Sequence, residues 1–421
     1  MPDSPAMPPV PGRRLLSFAA GLGMMIFSIL TIRHFFAANY PETIWAGSFC
    51  DINAFFNCDS SAFSPISQVF GVPIGYFGLM VGGLVALGAV FPFEALEHTN
   101  RFIALVNVAC VVVLFLFSVL YHRSLCLLCS GFYLFSILTF ALFWQGSRLK
   151  AAQRPFLRPS LKVLATFGVV VGIGAYGMAA FHAAKRDAQS GGVSARIVRQ
   201  YYSLDTVKSP SVLSPFWVER ATDRFEDAPI RVVEYGDLLC PDCKLLADQL
   251  AKLEDEFKGR MNVAFQFFPL EATCNRVVEK DLHPGACDAS YIAAYDPAKF
   301  KAIHDEIFAN LQSARDPAWR EALARRYGVE SALTDQKTKD LVQRILQTGA
   351  EYEQTSDRYA HGIRSTPTMI VNNRMIIGTL PYEQLRAIFQ ALAAEGGGGT
   401  RFIESWVPPA ERSRQTGPAR R

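Results

Sequence analysis

Residues 230–243 read Ile-Arg-Val-Val-Glu-Tyr-Gly-Asp-Leu-Leu-Cys-Pro-Asp-Cys. The β-branched, alternating start Ile230–Tyr235 predicts a strand. Pro241 has no N–H to lose and fits the first turn of a helix running to about Phe257. A strand that feeds Cys-x-x-Cys at a helix start puts Cys240 where unpaired N–H groups and the helix dipole favour a thiolate. A lowered thiol pKa makes Cys240 both a good leaving group and a site of thiol–disulfide exchange at neutral pH. The competing reading is half of a zinc site, which needs a second ligand pair. Cys274 and Cys287, flanking His283, are the residues that could complete it.

Outward from this stretch, Asn262–Phe268 predicts a second strand, followed by some ninety residues of helical character. Ser365-Thr366-Pro367 then opens a strand at Thr368–Asn372, with another at Met375–Gly378 and a final helix at Tyr382–Ala394. A cis bond before Pro367, next to a redox cysteine, would expose backbone for pairing with an extended client. A trans proline at a strand start is the commoner use of a lone proline. Cys274 and Cys287 stand 13 positions apart around Pro284 and Gly285. In an oxidising compartment they predict a structural disulfide closing that loop, worth up to roughly 3 kcal/mol, with a second redox pair as the alternative. Residues 185–227 are polar, with Ser-Pro steps and room for one short helix, and read as a connector. Gly396–Gly399 and the Pro/Arg-rich end make 395–421 a disordered tail.

The first 185 residues are of another kind. Five uncharged apolar runs occur there: Leu15–Ile32, Val72–Phe93, Phe102–Tyr121, Cys126–Trp144 and Val163–Phe181. Each meets or approaches the roughly 20 residues that cross a bilayer. The first could instead be a cleaved signal peptide, though its 18 residues exceed the usual apolar core of one. Arg148, Lys150, Arg154, Arg158 and Lys162 make the loop before the fifth run cytoplasmic. The loop holding Glu42, Asp51 and Asp59 then lies outside, and so does everything after Lys185. Half of the 421 residues are hydrophobic and mean hydropathy is +0.15, which excludes a disordered chain and weighs against an ordinary soluble enzyme. A net charge of +4 carries no nucleic-acid signal. Cys126-Leu-Leu-Cys129 opens the fourth run at its outer end, and Cys50 and Cys58 lie in the outer loop. Four cysteines thus converge on one membrane face, while Cys110, inside the third run, reads as a small hydrophobe.

Residues 228–394 resemble the thioredoxin superfamily, in particular its DsbA-like branch with a helical insertion between the central strands. The resemblance implies that Cys240 is the exposed nucleophile, Cys243 its resolving partner and Pro367 the cis proline. Asp242 departs from the histidine found between the cysteines of strongly oxidising members. A carboxylate there should raise the thiolate pKa and make the pair less oxidising.

Residues 12–146 resemble vitamin K epoxide reductase and its bacterial homologues, some of which are fused to a thioredoxin-like domain. The matching positions are Cys50, Cys58, Ser64, Gly71-Val72-Pro73, Cys126, Cys129 and Tyr133. Ile74 replaces an asparagine with which the vertebrate enzyme holds its quinone. The expected architecture is therefore a multi-pass α-helical membrane domain, a four-helix bundle plus a fifth linking span, followed by an α/β thioredoxin-like domain with a helical insertion. Its parts are a cytoplasmic N-terminus (1–14), the four-span domain (15–146), the fifth span (163–184), the connector (185–227), the thioredoxin-like domain (228–394) and the tail (395–421).

The implied activity is disulfide formation in exported proteins. Electrons pass from client thiols to Cys240/Cys243, to Cys50/Cys58, to Cys126/Cys129 and on to a membrane quinone, ubiquinone or menaquinone. Cys129 would face the quinone, with Ser64 and Tyr133 as hydrogen-bonding candidates. A helix cap at Ser64 and a span-end anchor at Tyr133 are the plainer alternatives. The same layout implies a monomer in a bacterial inner membrane, with the thioredoxin-like domain in the periplasm or outside the cell. It implies no metal and no nucleic-acid partner. A reductase or isomerase running the other way would use the same cysteines. A membrane-tethered metal chaperone would want His or Met beside the pairs, and neither is there.

Overall fold

The computed structural model describes residues 11–41, 44, 58–91, 93–122, 125–146, 158–188, 192–279, 281–353 and 362–409. They form two units, one within Met1–Asn39 and Ser48–Arg186, the other within Tyr40–Gly47 and Asp187–Arg421.

The first unit is helical. Helix α1 (Pro11–Asn39) is followed by a short α2 (Cys58–Ala62) and a 3-10 turn at Pro65–Ser67. A two-residue hairpin, β1 (Gln68–Val69) with β2 (Val72–Pro73), turns through Phe70 and Gly71, both at positive φ. Then come α3 (Ile74–Val90), α4 (Glu94–Leu116), α5 (Leu127–Gly146) and α6 (Leu161–Ala188). Helices α1, α4, α5 and α6 are long and apolar enough to cross a membrane. The second apolar run is trimmed to 17 residues, because Val72 and Pro73 are spent on the hairpin and Pro92 disfavours helix at Phe91. At 1.5 Å per residue α3 spans about 26 Å, at the lower limit for a membrane crossing.

Small residues let the helices close up. A Cβ on Gly21 would stand 2.8 Å from the amide nitrogen of Ala86, and one on Gly82 would stand 2.9 Å from the carbonyl oxygen of Gly21. Helix α6 is tied into this unit by the Tyr76 hydroxyl, which donates to the Val171 carbonyl at 2.8 Å. His182 Nδ1 lies 2.7 Å from the Gly71 carbonyl oxygen.

The second unit is a layered α/β domain. It begins with α7 (Ser194–Tyr202) and an edge strand β3 (Trp217–Arg220), followed by β4 (Ile230–Gly236), α8 (Pro241–Glu256) and β5 (Met261–Phe267). The insertion supplies α9 (Ala286–Ala294), α10 (Phe300–Ala309), α11 (Leu311–Ala314), α12 (Pro317–Tyr327) and α13 (Gln336–Gln347). Strands β6 (Thr368–Val371) and β7 (Arg374–Ile377) and helices α14 (Tyr382–Ala394) and α15 (Gly399–Ser405) complete it. The sheet order is β3-β5-β4-β6-β7, with β4 parallel to β5 and every other pair antiparallel. Strands β4 and β5 are buried along almost their whole length, as central strands covered on both faces must be.

Two segments differ from the reading of composition. The supposed connector contains β3, which joins the sheet, and α7, whose Ile197, Val198 and Tyr201 are fully enclosed in the core. Strand β3 is only four residues long and lacks an apolar alternation, so its pairing with β5 rather than its sequence makes it a strand. The supposed tail folds as far as residue 409: Phe402 and Ile403 pack on the core and Trp406 is buried in it. Residues 410–421 lie outside the described ones.

Candidate active site

In the second unit the redox pair sits where β4 passes into α8. Cys240 is the N-cap residue of α8, in extended conformation, and Pro241 takes its first turn. Both thiols are free and buried: Cys240, expected as the exposed nucleophile, is only 3% exposed, because the Thr366–Pro367 segment covers its sulfur. Cys240 Sγ lies 3.7 Å from the carbonyl oxygen of Thr366, and the Thr366–Pro367 peptide is cis. That residue stands at the entry to β6, beside β4 in the sheet.

The two sulfurs are electrostatically unequal. Burial resists ionisation of Cys240, yet a hydrogen bond from the Cys243 thiol and the charge of His283 outweigh it and hold its pKa below the usual thiol value. Asp242 and Asp237 pull the other way, the Asp242 effect having the sign expected of a carboxylate between the cysteines. Cys243 is pushed well up, first by burial and then by its hydrogen bond to Cys240. Ionisation therefore falls to Cys240, and Cys243 keeps its proton.

Three groups around the pair escaped sequence reasoning as redox residues. Glu234, in β4, is fully buried, and neither carboxyl oxygen has a hydrogen-bond partner among the described residues. Burial, reinforced by the charge on Cys240, raises its pKa to about 8. An acid set between Val233 and Tyr235 in a strand rich in β-branched residues was the signal that could have found it. Asp237 is likewise fully buried and accepts from the N–H groups of Leu239 and Leu270, both at 2.7 Å. His283 Nδ1 is 2.7 Å from its Oδ2. Cys274 and Cys287 are joined in a disulfide, which leaves His283 without the cysteine ligands a zinc site would borrow. No cluster of metal-ligating side chains occurs among the described residues.

In the helical unit, Cys58 opens α2 and is disulfide-bonded and fully buried. Cys50 lies outside the described residues. The free thiol of Cys126 stands 3.3 Å from Cys58 Sγ. It also accepts the N–H of Cys129 at 3.3 Å, the kind of contact a helix start offers to a thiol. Phe27 and Leu30 of α1 and Leu128 of α5 enclose these sulfurs.

Cys129 faces a cavity of about 360 Å3 walled by Phe77, Phe132, Phe167, Ile103 and Leu114. Tyr133 and Cys110 line it too, Tyr133 packing edge-on against Phe115. Its polar lining comes from Ser28, Thr31 and Asn107, and Ile74 contributes only hydrocarbon. The Ser28 hydroxyl is buried and has no partner among the described residues. Ser64 is not part of this lining; it caps the 3-10 turn, accepting the Ile66 N–H at 3.4 Å.

A helical membrane unit carrying neighbouring cysteines, joined to a thioredoxin-like unit with a strand–Cys-x-x-Cys–helix, defines a two-domain thiol-chemistry protein of the membrane. Comparison with known proteins agrees. Residues 14–144 match the vitamin K epoxide reductase family and residues 225–391 match a thioredoxin family. The chain thus carries a vitamin K epoxide reductase family domain followed by a thioredoxin-like domain. It is similar to disulfide bond formation protein D of Bacillus subtilis strain 168, with 25% identity over 169 residues, 38% of this chain and 71% of that one. It is also 26% identical over 151 residues to Na(+)/H(+) antiporter NhaA 1 of Mycolicibacterium gilvum, a match covering 35% of this chain and 22% of that one. Among solved structures, alpha-DsbA1 of Wolbachia pipientis matches with a TM-score of 0.32 at 17% identity, over 44% of this chain and 92% of that one.

Proposed function

We propose that this chain is a thiol oxidoreductase that makes disulfide bonds in exported proteins and passes the electrons to a membrane quinone. The observation that carries the reading is the 3.3 Å approach of the free Cys126 thiol to the disulfide-bonded Cys58, with Cys129 at the wall of an apolar cavity. Transfer between disulfides requires such sulfur contact. The cavity suits an aromatic ring with carbonyl acceptors: its walls are aromatic and aliphatic, and the Ser28 hydroxyl has no partner among the described residues. A quinone bound there would supply a two-electron, two-proton acceptor.

The cysteines then act in sequence. A client thiolate attacks Cys240 Sγ in the Cys240–Cys243 disulfide, and Cys243 leaves with the bond's electron pair and takes a proton. The client's second thiol attacks its own sulfur in the mixed disulfide, and Cys240 leaves as the stabilised thiolate. Cys240 next attacks Cys50 of a Cys50–Cys58 disulfide; Cys58 leaves, and Cys243 displaces Cys50 to restore its own pair. Cys58 attacks Cys126 of a Cys126–Cys129 disulfide, freeing Cys129 on the cavity side. Cys50 then closes on Cys58 and releases Cys126. Pro367 and the Thr366 carbonyl border the first of these steps, and Ser28, Thr31 and Tyr133 line the cavity onto which Cys129 is freed. Ser64, by this reading, shapes the approach to the hairpin rather than touching the quinone. The disulfide of Cys274 and Cys287 is structural, and the thioredoxin-like unit faces the oxidising side of the membrane.

The test is mass-tag trapping of thiols in growing cells. An oxidised Cys240/Cys243 pair in the parent that becomes reduced in Cys129→Ala supports the relay. A pair already reduced in the parent reverses the electron flow and makes the chain a reductase.

A further inference from the structure

The helical insertion brings a basic group to the redox loop that the relay above leaves unused. His283 lies between the two cysteines of the insertion's disulfide, just ahead of α9, and is 5% exposed. Its imidazole meets the Asp237 carboxylate at 2.7 Å. Asp237 in turn is built into the thiol site through its backbone. Its carbonyl accepts the Cys240 N–H at 3.1 Å, and its N–H points to Cys243 Sγ at 3.4 Å. With both carboxyl oxygens also holding backbone N–H groups, Asp237 has little freedom to move.

The segment carrying His283 is pinned as well. The Leu270 carbonyl accepts the N–H groups of Leu282 and His283 at 2.9 and 3.1 Å. The Glu271 carboxylate accepts those of Gly285 and Cys287 at 3.1 and 2.8 Å. The Cys274–Cys287 bond closes the loop, with Cα atoms 6.1 Å apart.

We propose that His283, held on Asp237 and clamped by the Cys274–Cys287 disulfide, is a positioning residue for exchange at Cys240, supplying the positive charge that offsets Asp242. The proposal rests on the reading of Cys240 as the exchanging thiol. When a client's second thiol displaces Cys240, the electron pair of the broken S–S bond stays on Cys240 Sγ, and a nearby imidazolium stabilises it there. The groups that bear on that sulfur are His283 and Cys243, which favour the thiolate, and Asp242 and Asp237, which oppose it. Glu234, which also senses the charge on Cys240, is neutral at pH 7. Burial and the charge of Arg315 disfavour the imidazolium, but the Asp237 partnership prevails and raises the His283 pKa above its ordinary value.

The experiment measures the rate of Cys240 alkylation by iodoacetamide against pH in the full chain, with its redox pair reduced, by mass spectrometry of the peptide carrying Cys240. His283→Gln keeps an N–H for Asp237 and removes the charge. Its midpoint should rise by about one pH unit, slowing alkylation about tenfold below both midpoints. A folded H283Q protein with the parental midpoint would overturn the proposal. If H283Q does not fold, His283→Lys, which keeps a cation on Asp237, should hold the parental midpoint, and a midpoint raised by a full unit overturns the proposal instead. Paired Cys274→Ser and Cys287→Ser substitutions should shift the midpoint upward too; an unchanged midpoint removes the clamp. No client or quinone is present, so the relay can fail while this result stands. Preferential alkylation of Cys243 in the parent would instead sink the reading of Cys240 itself.

Discussion

Glu234 shows how much a single buried side chain can weigh. An unpaired carboxyl inside a sheet is kept neutral, since ionising it without a partner is costly. Its folded pKa of about 8 stands far above the unfolded value of about 4.3, so between those pH values the folded chain holds a proton that the unfolded chain has lost. The stabilisation is complete below the unfolded pKa and is lost as pH rises to the folded one. Thermal unfolding of the thioredoxin-like unit should therefore move to lower temperature between about pH 5 and pH 8, a loss on the order of a few kcal/mol. Glu234→Gln should flatten that slope; a slope unchanged in the variant would assign it to other groups. Glu234 stands out in the sequence as an acid among Val232, Val233 and Tyr235, only six positions before Cys240, but which face of the strand carries it toward the thiols is decided by packing.

At the scale of elements, helices α1 and α3 approach as closely as they do because Gly21 and Gly82 face each other's backbone. Gly82→Val would drive a side chain against the Gly21 carbonyl and the Met24 Cβ, at 2.9 and 3.0 Å. Overpacking of this kind costs about 1–3 kcal/mol. The detergent-solubilised variant should melt at lower temperature and give less folded protein. Gly83→Ala, one residue on, meets nothing within 4 Å and gains helix propensity, so it should match or exceed the parent. Equal melting of the two variants would refute the close approach. Element boundaries at β4 and α14 were readable because alternation and helical periodicity are strong there. Strand β3 and helix α15 were not, since β3 depends on its register with β5 and α15 on the cover that Phe402 and Trp406 give the core.

For the molecule as a whole, the relay predicts how a break in the chain of sulfurs propagates. Cys126→Ser removes the thiol 3.3 Å from Cys58, so electrons already taken up cannot leave. Thiol tags in growing cells should then find Cys50/Cys58 and Cys240/Cys243 both reduced, whereas Cys110→Ser, outside the relay though on the cavity wall, should leave both oxidised. Reduction confined to Cys240/Cys243 in Cys126→Ser would place the break elsewhere. Phe167→Trp, at the cavity wall contributed by α6, should raise the KM for quinone several-fold with little change in kcat, because it reduces space without touching a sulfur. The sequence by itself determined the two-part plan: apolar run length marks spans, and a strand leading to Cys-Pro-Asp-Cys marks a thioredoxin-like site, because both signals are local and periodic. Only tertiary packing decided which side chains meet. It set Cys126 beside Cys58, gave Cys129 an aromatic cavity and moved Ser64 to a cap. It also brought His283 across from the insertion to Asp237, because contacts between residues far apart in the chain depend on how the elements pack, and no local pattern encodes that.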